Sequence, residues 1–431
     1  MKAIVLAAGE GFRLRPITST KPKHLLPVGG IPLLEHTLLA LKSVGVDDVA
    51  ILVGYLEEKI RNHFKDGSSL GISITYIRQQ NPTGTASAVG MTEQYVDGED
   101  FIAAYGDLLI NAHVFSMVLQ RYEVDKTLTM TVVPISNPEE FGVITVRDGY
   151  VTKIVEKPKG RFESDLINAG VYIFPSEIFR YIKETNRSER GEYEITDTLQ
   201  SLLTKGTKIA ACQVNQDEWL DIGRPWDLLE ANRRVIEEMA TDIKGTVEKG
   251  AYLLGHVVVQ KDSRIRSGAY IEGPVFIGEG ADIGPNCYIR PCTSLGKNVR
   301  VGNACEVKNS IIMDGTHIGH LSYVGDSILG EACNLGAGTM IANLRLDDGS
   351  VKVLIKDKVV DSKQRKLGVF MGDGVKTSIG ASIMPGVKIG AGAWIGPAAV
   401  VYRDVLEGTK FGFASTPEHH VHRRSSAQDL E

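Results

Sequence analysis

Two glycines at the end of an apolar hexapeptide, with an arginine and a lysine close behind, are the first residues in this sequence whose types and spacing could do chemistry. The string Leu6-Ala7-Ala8-Gly9-Glu10-Gly11-Phe12-Arg13-Leu14-Arg15-Pro16 leads into Lys21-Pro22-Lys23-His24-Leu25-Leu26-Pro27. Glycines let a backbone approach a phosphate and aim its N–H groups at it. Arg13 and Lys23 add positive charge suited to a triphosphate and to a departing pyrophosphate. Two commoner glycine loops are excluded. A Walker loop closes on Gly-Lys-Ser/Thr, and a dinucleotide fingerprint needs a third glycine where Leu14 stands. Tyr105-Gly106-Asp107 ends a second apolar run on a carboxylate, the place for a metal ligand at the carboxyl end of a strand.

A second set lies in the other half of the chain. Gly319-His320-Leu321-Ser322-Tyr323-Val324-Gly325-Asp326 is followed by Asn334-Leu335-Gly336-Ala337-Gly338-Thr339 and by Asn343. Histidine as a residue type titrates near neutrality and can take a proton from an attacking nucleophile.

The elements that would position the first set alternate between β-rich runs and amphipathic helical patterns, which predicts an α/β domain with a largely parallel sheet. Strands are predicted over 2–6, 48–53, 73–76, 101–105, 127–133 and 170–173. Helices are predicted over 32–44, 55–64, 85–91 and 195–203, with a connector helix over about 226–239.

The second set sits in a different pattern. Val247, Leu253, Val259, Ile265, Ile271, Ile277, Ile283, Ile289, Leu295, Val301 and Val307 are aliphatic at every sixth position. The run resumes with Met371, Thr377, Ile383, Ile389, Ile395 and Val401. Of the 46 glycines, 25 fall between Val247 and Lys410, which sets this half apart. Period six fits a triangular coil whose sides are short parallel strands, each turning one aliphatic residue inward. Small or β-branched residues stand two places before many of these, and 18 residues make one coil, so Cys287 and Cys305 are predicted to stack as small apolar fillers. Arg290 and Lys308 are likewise one coil apart. The spacing slips between Val307 and Leu335, and the lysine-rich residues 344–366 break it; these are predicted to project as a loop. The chain thus divides into 1–228, a helical linker 229–246, a solenoid 247–410 and an unpatterned tail 411–431.

Composition narrows the classes. Hydrophobic residues are 43% and charged residues 23% of 431 residues, with a formal net charge of -5. That balance argues against a nucleic-acid binder, and no apolar run is long enough for a membrane span. Five cysteines without CxxC spacing offer neither a zinc ribbon nor a secreted disulfide framework, so a reducing cytoplasm is expected. His419-His420-Val421-His422 in the tail is not read as a metal site.

The loop string resembles the signature of the sugar nucleotidylyltransferases, LxxGxGTRLxPxT followed by PKxLLPV, with Phe12 where threonine is usual. The resemblance implies that Leu6, Ala7, Ala8, Gly9 and Gly11 cradle the nucleotide, that Gln79 reads a pyrimidine edge ahead of Gly84 and Thr85, and that UTP or dTTP is used. It implies Mg²⁺ on Asp107 and on Asp221 of Trp219-Leu220-Asp221-Ile222-Gly223. Tyr105, Gly142, Glu156, Lys157 and Asn168 match the sugar-phosphate contacts. The solenoid strings resemble the acetyltransferase domain of bifunctional, archaeal-type N-acetylglucosamine-1-phosphate uridylyltransferase/glucosamine-1-phosphate N-acetyltransferases. This implies a left-handed parallel β-helix, usually trimeric, with His320 as general base. Arg290 and Lys308 would hold the amino-sugar phosphate, Tyr323 and Asn334 the sugar, and Ala337 and Asn343 acetyl-CoA. Leu344 replaces the tyrosine that usually follows Asn343. Three readings stay open: a bifunctional enzyme; a monofunctional glucose-1-phosphate uridylyl- or thymidylyltransferase with the solenoid as scaffold; and a non-catalytic regulatory partner.

Overall fold

The computed structural model describes residues 1–81, 83–160 and 163–413. Its first half is built on a nine-stranded sheet. Strand Lys2–Ala7 lies between Asp48–Val53 and Phe101–Tyr105, parallel to both, and Ser73–Arg78 extends the parallel edge. These strands are rich in Val, Ile and Ala, and Ala3, Ile4 and Val5 are fully buried, as expected of strands covered on both faces. Beyond Phe101–Tyr105 the sheet turns antiparallel through Leu166–Phe174, so it is mixed overall. The hairpin Gly142–Arg147 to Tyr150–Glu156 forms the far edge. It and the helix Ala112–Asp125 have no counterpart among the sequence predictions. The long helix hides because its buried residues, Val114, Phe115, Val118 and Tyr122, are diluted by His113, Gln120 and Arg121.

The connector helix runs Pro225–Glu238, starting earlier and ending sooner than the expected linker 229–246. Pro225 stands in the first helical turn, where its missing N–H costs nothing. The Asp227 carboxylate accepts from the Gly223 and Arg224 N–H groups at 3.2 and 2.7 Å. Asp242–Ile243 already pairs with Val258–Val259, so the first rung precedes Val247.

From there the chain winds through three stacked parallel sheets of eight, nine and eight strands. The six-spaced residues point inward: Ile265, Ile271, Ile277, Ile283, Ile289, Leu295, Val301 and Val307 have no exposed surface. The register explains the slip. Val259 and Ile277 are partners 18 apart, whereas Leu295 pairs with Ile312 and Ile312 with Leu329, 17 apart. One corner residue is missing from those coils, and the aliphatic column survives. Lys410–Phe411 pairs with Trp394–Ile395, and Phe411 packs on the coil interior. The last rung therefore takes in Phe411, which sequence reasoning assigned to the tail. The tail histidines lie outside the described residues.

Residues 344–366 do not project freely, contrary to expectation. Lys352–Ile355 and Lys358–Asp361 form an antiparallel hairpin, turning through Lys356 and Asp357 at φ 47° and 62°. Such a two-residue turn matches the twist of its strands. Val351, Val353 and Ile355 alternate with the outward-facing Lys352 and Leu354 and are buried in one apolar cluster with Leu14, Ile17 and Trp226 of the first half. Burial of an apolar stripe accounts for the fold-back.

All five cysteines are free. Burial pushes the thiols of Cys287 and Cys333 up to about 12, and that of Cys212 up to about 11. Thiolate is the reactive form. With a disulfide reagent at pH 8, the native protein is expected to react only at half-buried Cys292 within minutes, and all five after denaturation. Rapid native labelling of Cys287, Cys305 or Cys333 would contradict a closed coil interior.

Candidate active sites

The first site forms where parallel strands end side by side. Gly106 N–H donates to the Leu6 carbonyl at 2.9 Å, which sets Asp107 beside the glycine loop. Gly11 has φ +67°, and a Cβ there would stand 2.9 Å from the Lys23 Cβ. Gly9 has open space where a Cβ would be. The Thr18 hydroxyl and the Leu14 N–H both donate to the Gly11 carbonyl at 2.9 Å, closing the turn.

Charges converge beneath this turn. The Lys23 ammonium is ion-paired to the Asp107 carboxylate. Burial pushes Asp107 up, but the ammonium outweighs it and holds the carboxyl below its ordinary value. Asp221 lies on the adjoining strand Trp219–Asp221, opposite Leu108. Burial, and then the negative charge of Asp107, push the Asp221 carboxyl up. The Arg13 guanidinium reaches the same spot, 2.9 Å from where a Gly223 Cβ would be. His24 is fully buried and pushed down to about 3 by burial and then by Lys23, so it is neutral.

These two oxygen donors suit a hard divalent cation. Mg²⁺ is commonly held by one or two carboxylates together with substrate phosphates. Among the described residues no group of three His, Cys, Asp or Glu could hold a metal. Asp107 and Asp221 therefore fit a metal that the substrate helps to ligate.

Next to the carboxylates lies a cavity of about 220 Å³. Arg13, Thr85, Tyr105, Gly142, Glu156, Lys157, Asn168 and Asp221 line it. The Glu156 carboxylate accepts from the Thr196 hydroxyl at 3.0 Å and lies 3.4 Å from Arg190. Gly142 has no Cβ to crowd Glu156, whose Oε2 would stand 3.0 Å away. The Asn168 side-chain oxygen accepts from Tyr172 at 2.7 Å. Thr85 caps the helix Ile195–Thr204 by accepting from Ile195 N–H at 2.9 Å. Gln79 is buried, and its Nε2 has no partner, leaving a donor for a ligand to satisfy. Gly84 has φ +122°, a backbone open to glycine, and a Cβ there would also meet the Tyr193 carbonyl oxygen at 2.4 Å. Sequence reasoning missed Arg190 and Glu194. Burial and then Glu156 push Glu194 up to about 7, and Arg190 sits 3.0 Å from it. Neither residue carries a spacing signal, because their loop meets the site only through tertiary packing.

The second set gathers on adjacent coils. Arg290 donates to Glu306 at 2.9 Å, and its buried Nε has no partner. Lys308 Nζ lies 3.5 Å from Asp326, and Asn309 donates to the same carboxylate at 2.8 Å. Asn343 donates to that carboxylate and to the Tyr323 hydroxyl. Asp326 thus centres the cluster, although sequence reasoning gave it no role. Its signal was weak: a polar residue at a coil corner, with φ 51°. His320 and Asn334 stand on the neighbouring sheet, on strands His317–His320 and Asn334–Leu335 that pair with each other. Among the described residues no side-chain hydrogen bond ties either to the cluster. Ala337 lies on a corner, its carbonyl accepting from Gly380 at 2.9 Å.

The Nucleotidyl transferase family matches residues 2–238, and a family described as the GMPPB C-terminal domain matches residues 271–377. "Bifunctional protein GlmU" of Methanocaldococcus jannaschii is 44% identical over 95% of this chain and 97% of its own. The chain belongs to the bifunctional sugar-1-phosphate nucleotidylyltransferase/acetyltransferase family. A family member so described from Sulfurisphaera tokodaii is 40% identical over 95% of this chain and 100% of its own. The Haloferax volcanii low-salt glycan biosynthesis nucleotidyltransferase Agl11 is 38% identical over 78% of this chain. A solved structure described as a Bacillus anthracis glucose-1-phosphate thymidylyltransferase in complex with a sucrose has a TM-score of 0.51 at 31% identity. It covers 56% of this chain. The chain is accordingly an enzyme acting on nucleotide and sugar-phosphate substrates. No helix among the described residues is long and apolar enough to cross a membrane.

The family's glycine loop here depends on Gly11. Gly11→Ala would force an L side chain into a left-handed backbone and push Lys23 away from Asp107. Nucleotidyl transfer is expected to fall on the order of 10²-fold, with the thermal transition within a few degrees of the parent. A full parental rate would show that the turn does not organise the site.

Proposed function

We propose that the chain makes a UDP-activated N-acetyl amino sugar in two steps, one in each domain. The solenoid acetylates glucosamine-1-phosphate with acetyl-CoA, and the N-terminal domain transfers uridylyl from UTP to the product. The assignment rests on one observation: both polar clusters occur in a chain alignable to bifunctional relatives over 95% of its length.

In the first step the amine nitrogen attacks the thioester carbonyl. An N–C bond forms and the C–S bond breaks; His320 takes the amine proton and passes it to the departing thiolate, so coenzyme A leaves as the thiol. Arg290 and Lys308 bind the sugar phosphate; the unpartnered Arg290 Nε supplies a donor for it. Tyr323 and Asn334 contact the sugar. Asn343 and Ala337 belong to the acetyl-CoA side, with Asn343 joined to the sugar side through Tyr323.

In the second step an oxygen of N-acetylglucosamine-1-phosphate attacks the α-phosphorus of UTP, and pyrophosphate leaves. Backbone N–H groups of residues 8–11 meet the triphosphate, while Arg13 and Lys23 offset the charge that gathers on phosphoryl oxygens. Gln79 Nε2 donates to the uracil edge; dTTP presents the same edge. Glu156 accepts from sugar hydroxyls and Lys157 pairs with the sugar phosphate. Mg²⁺ held by Asp107 and Asp221 would add Lewis-acid neutralisation of the phosphates when bound. The working assembly is a homotrimer in the cytoplasm. Leu321, exposed beside His320, supports a neighbouring copy as the second wall of the acetyl site.

Agl11, described as a nucleotidyltransferase, covers 78% of this chain, whereas the relatives described as bifunctional cover 95%, which favours two activities over the monofunctional reading. One assay separates the two. Acetyl-CoA and glucosamine-1-phosphate are added to the purified protein and thiol release is followed. Release that His320→Ala lowers by roughly 10²–10⁴-fold, with uridylyl transfer retained, supports the bifunctional reading. Asp107→Ala is expected to silence uridylyl transfer alone. Absence of thiol release from the parent protein sinks the acetyl assignment.

A further inference from the structure

Two departures from the family's pattern, far apart in sequence, meet in space. Phe12 replaces the usual threonine of the glycine loop, and residues 344–366 lengthen a solenoid corner. In the structure the hairpin tip places the Lys356 ammonium 5.4 Å from the centre of the Phe12 ring. The Arg15 guanidinium lies 4.4 Å from the same ring and is ion-paired to Glu10. Phe12 therefore carries two cations at the residue that directly follows the glycine turn. The ring's negative π face attracts such cations, and a threonine could not hold them.

The hairpin has a fixed origin and a fixed tip. At its root, Leu344 bridges to Lys366, and the Leu367 N–H donates to the Asn343 carbonyl at 2.8 Å. Gly368 N–H donates to the Asp326 carbonyl, also at 2.8 Å. Along its length Val351, Val353 and Ile355 are buried with Leu14 and Ile17, the residues that follow the glycine turn. The two-residue turn fixes the backbone of Lys356 at the tip, within reach of Phe12.

We infer that the hairpin is a working part of the nucleotidyl site, with Lys356 acting through Phe12 as a positioning residue that holds the glycine loop in its phosphate-binding shape. The inference rests on the nucleotidyl reading of that loop. Removing the cation leaves the loop free to sample shapes that do not bind, which lowers the fraction of competent protein and raises the apparent KM for the triphosphate. The chemical step, carried by Arg13, Lys23 and the two carboxylates, is left intact.

The experiment uses the full-length protein with UTP and N-acetylglucosamine-1-phosphate. Lys356→Met is expected to raise the KM for UTP by roughly 3–10-fold, with kcat within twofold, as loss of one cation–π contact allows. Lys356→Arg is expected to restore the KM. Phe12→Leu is expected to produce a similar rise, and adding Lys356→Met to it no further one. Lys358→Met removes the same charge from the same hairpin without touching the ring, and the KM should stay at the parental value. An unchanged KM in Lys356→Met overturns the inference, as does an equal rise in Lys358→Met, which would mark a diffuse charge effect. Additive rises in the double variant would also overturn it. A parent protein with no uridylyl transfer would sink the underlying nucleotidyl reading instead.

Discussion

A buried ammonium facing two half-buried carboxylates is the constraint on which the first site depends. Lys23 pairs with Asp107, while Asp221 is crowded by the Asp107 charge. Like charges in a low-dielectric setting repel strongly unless cations intervene. One lysine and the nearby Arg13 leave the arrangement poised for a further cation and for phosphate oxygens. Everything else in the domain keeps those groups in place. The parallel strands end together, Gly11 lets Lys23 pass, and strand Trp219–Asp221 lies against Leu108–Ile110 to present Asp221.

Much of this was legible in the sequence because local chemistry marks it. The glycine–arginine–lysine string and the strand ending in Asp107 announce themselves without tertiary information. The six-residue aliphatic period announces the solenoid still more clearly, since each inward residue belongs to a column. The missing corner residue in the coils after Leu295 blurred that period without breaking the column. Arg190 and Glu194 stayed hidden because they reach the cavity through packing of a loop whose sequence is merely polar. Asp326 stayed hidden because its partners, Lys308, Asn309 and Asn343, come from other coils or across the corner.

The hairpin at 344–366 shows a different kind of failure. Its lysines suggested a solvated loop, yet the alternation Val351, Val353, Ile355 is the period-two signature of a strand with one buried face. Nothing local says what that face will cover. It covers the residues behind the glycine turn, so the second domain braces the first. Lys21, one residue ahead of the Pro22-Lys23 string, joins the same seam through an ion pair to Glu331. Thr20 adds a 2.7 Å bond to Asp373. The two domains thus also meet beside the glycine loop proposed to bind phosphate, which a reading of each domain alone would not reveal.

The most direct measurement is diffraction from crystals of the protein grown with UDP-N-acetylglucosamine. Density for the diphosphate over the turn at Gly9 and Gly11, with the uracil edge against Gln79, is the predicted result. A well-ordered nucleotide bound anywhere else, with that turn vacant, would contradict the role given to Lys23, Asp107 and Asp221.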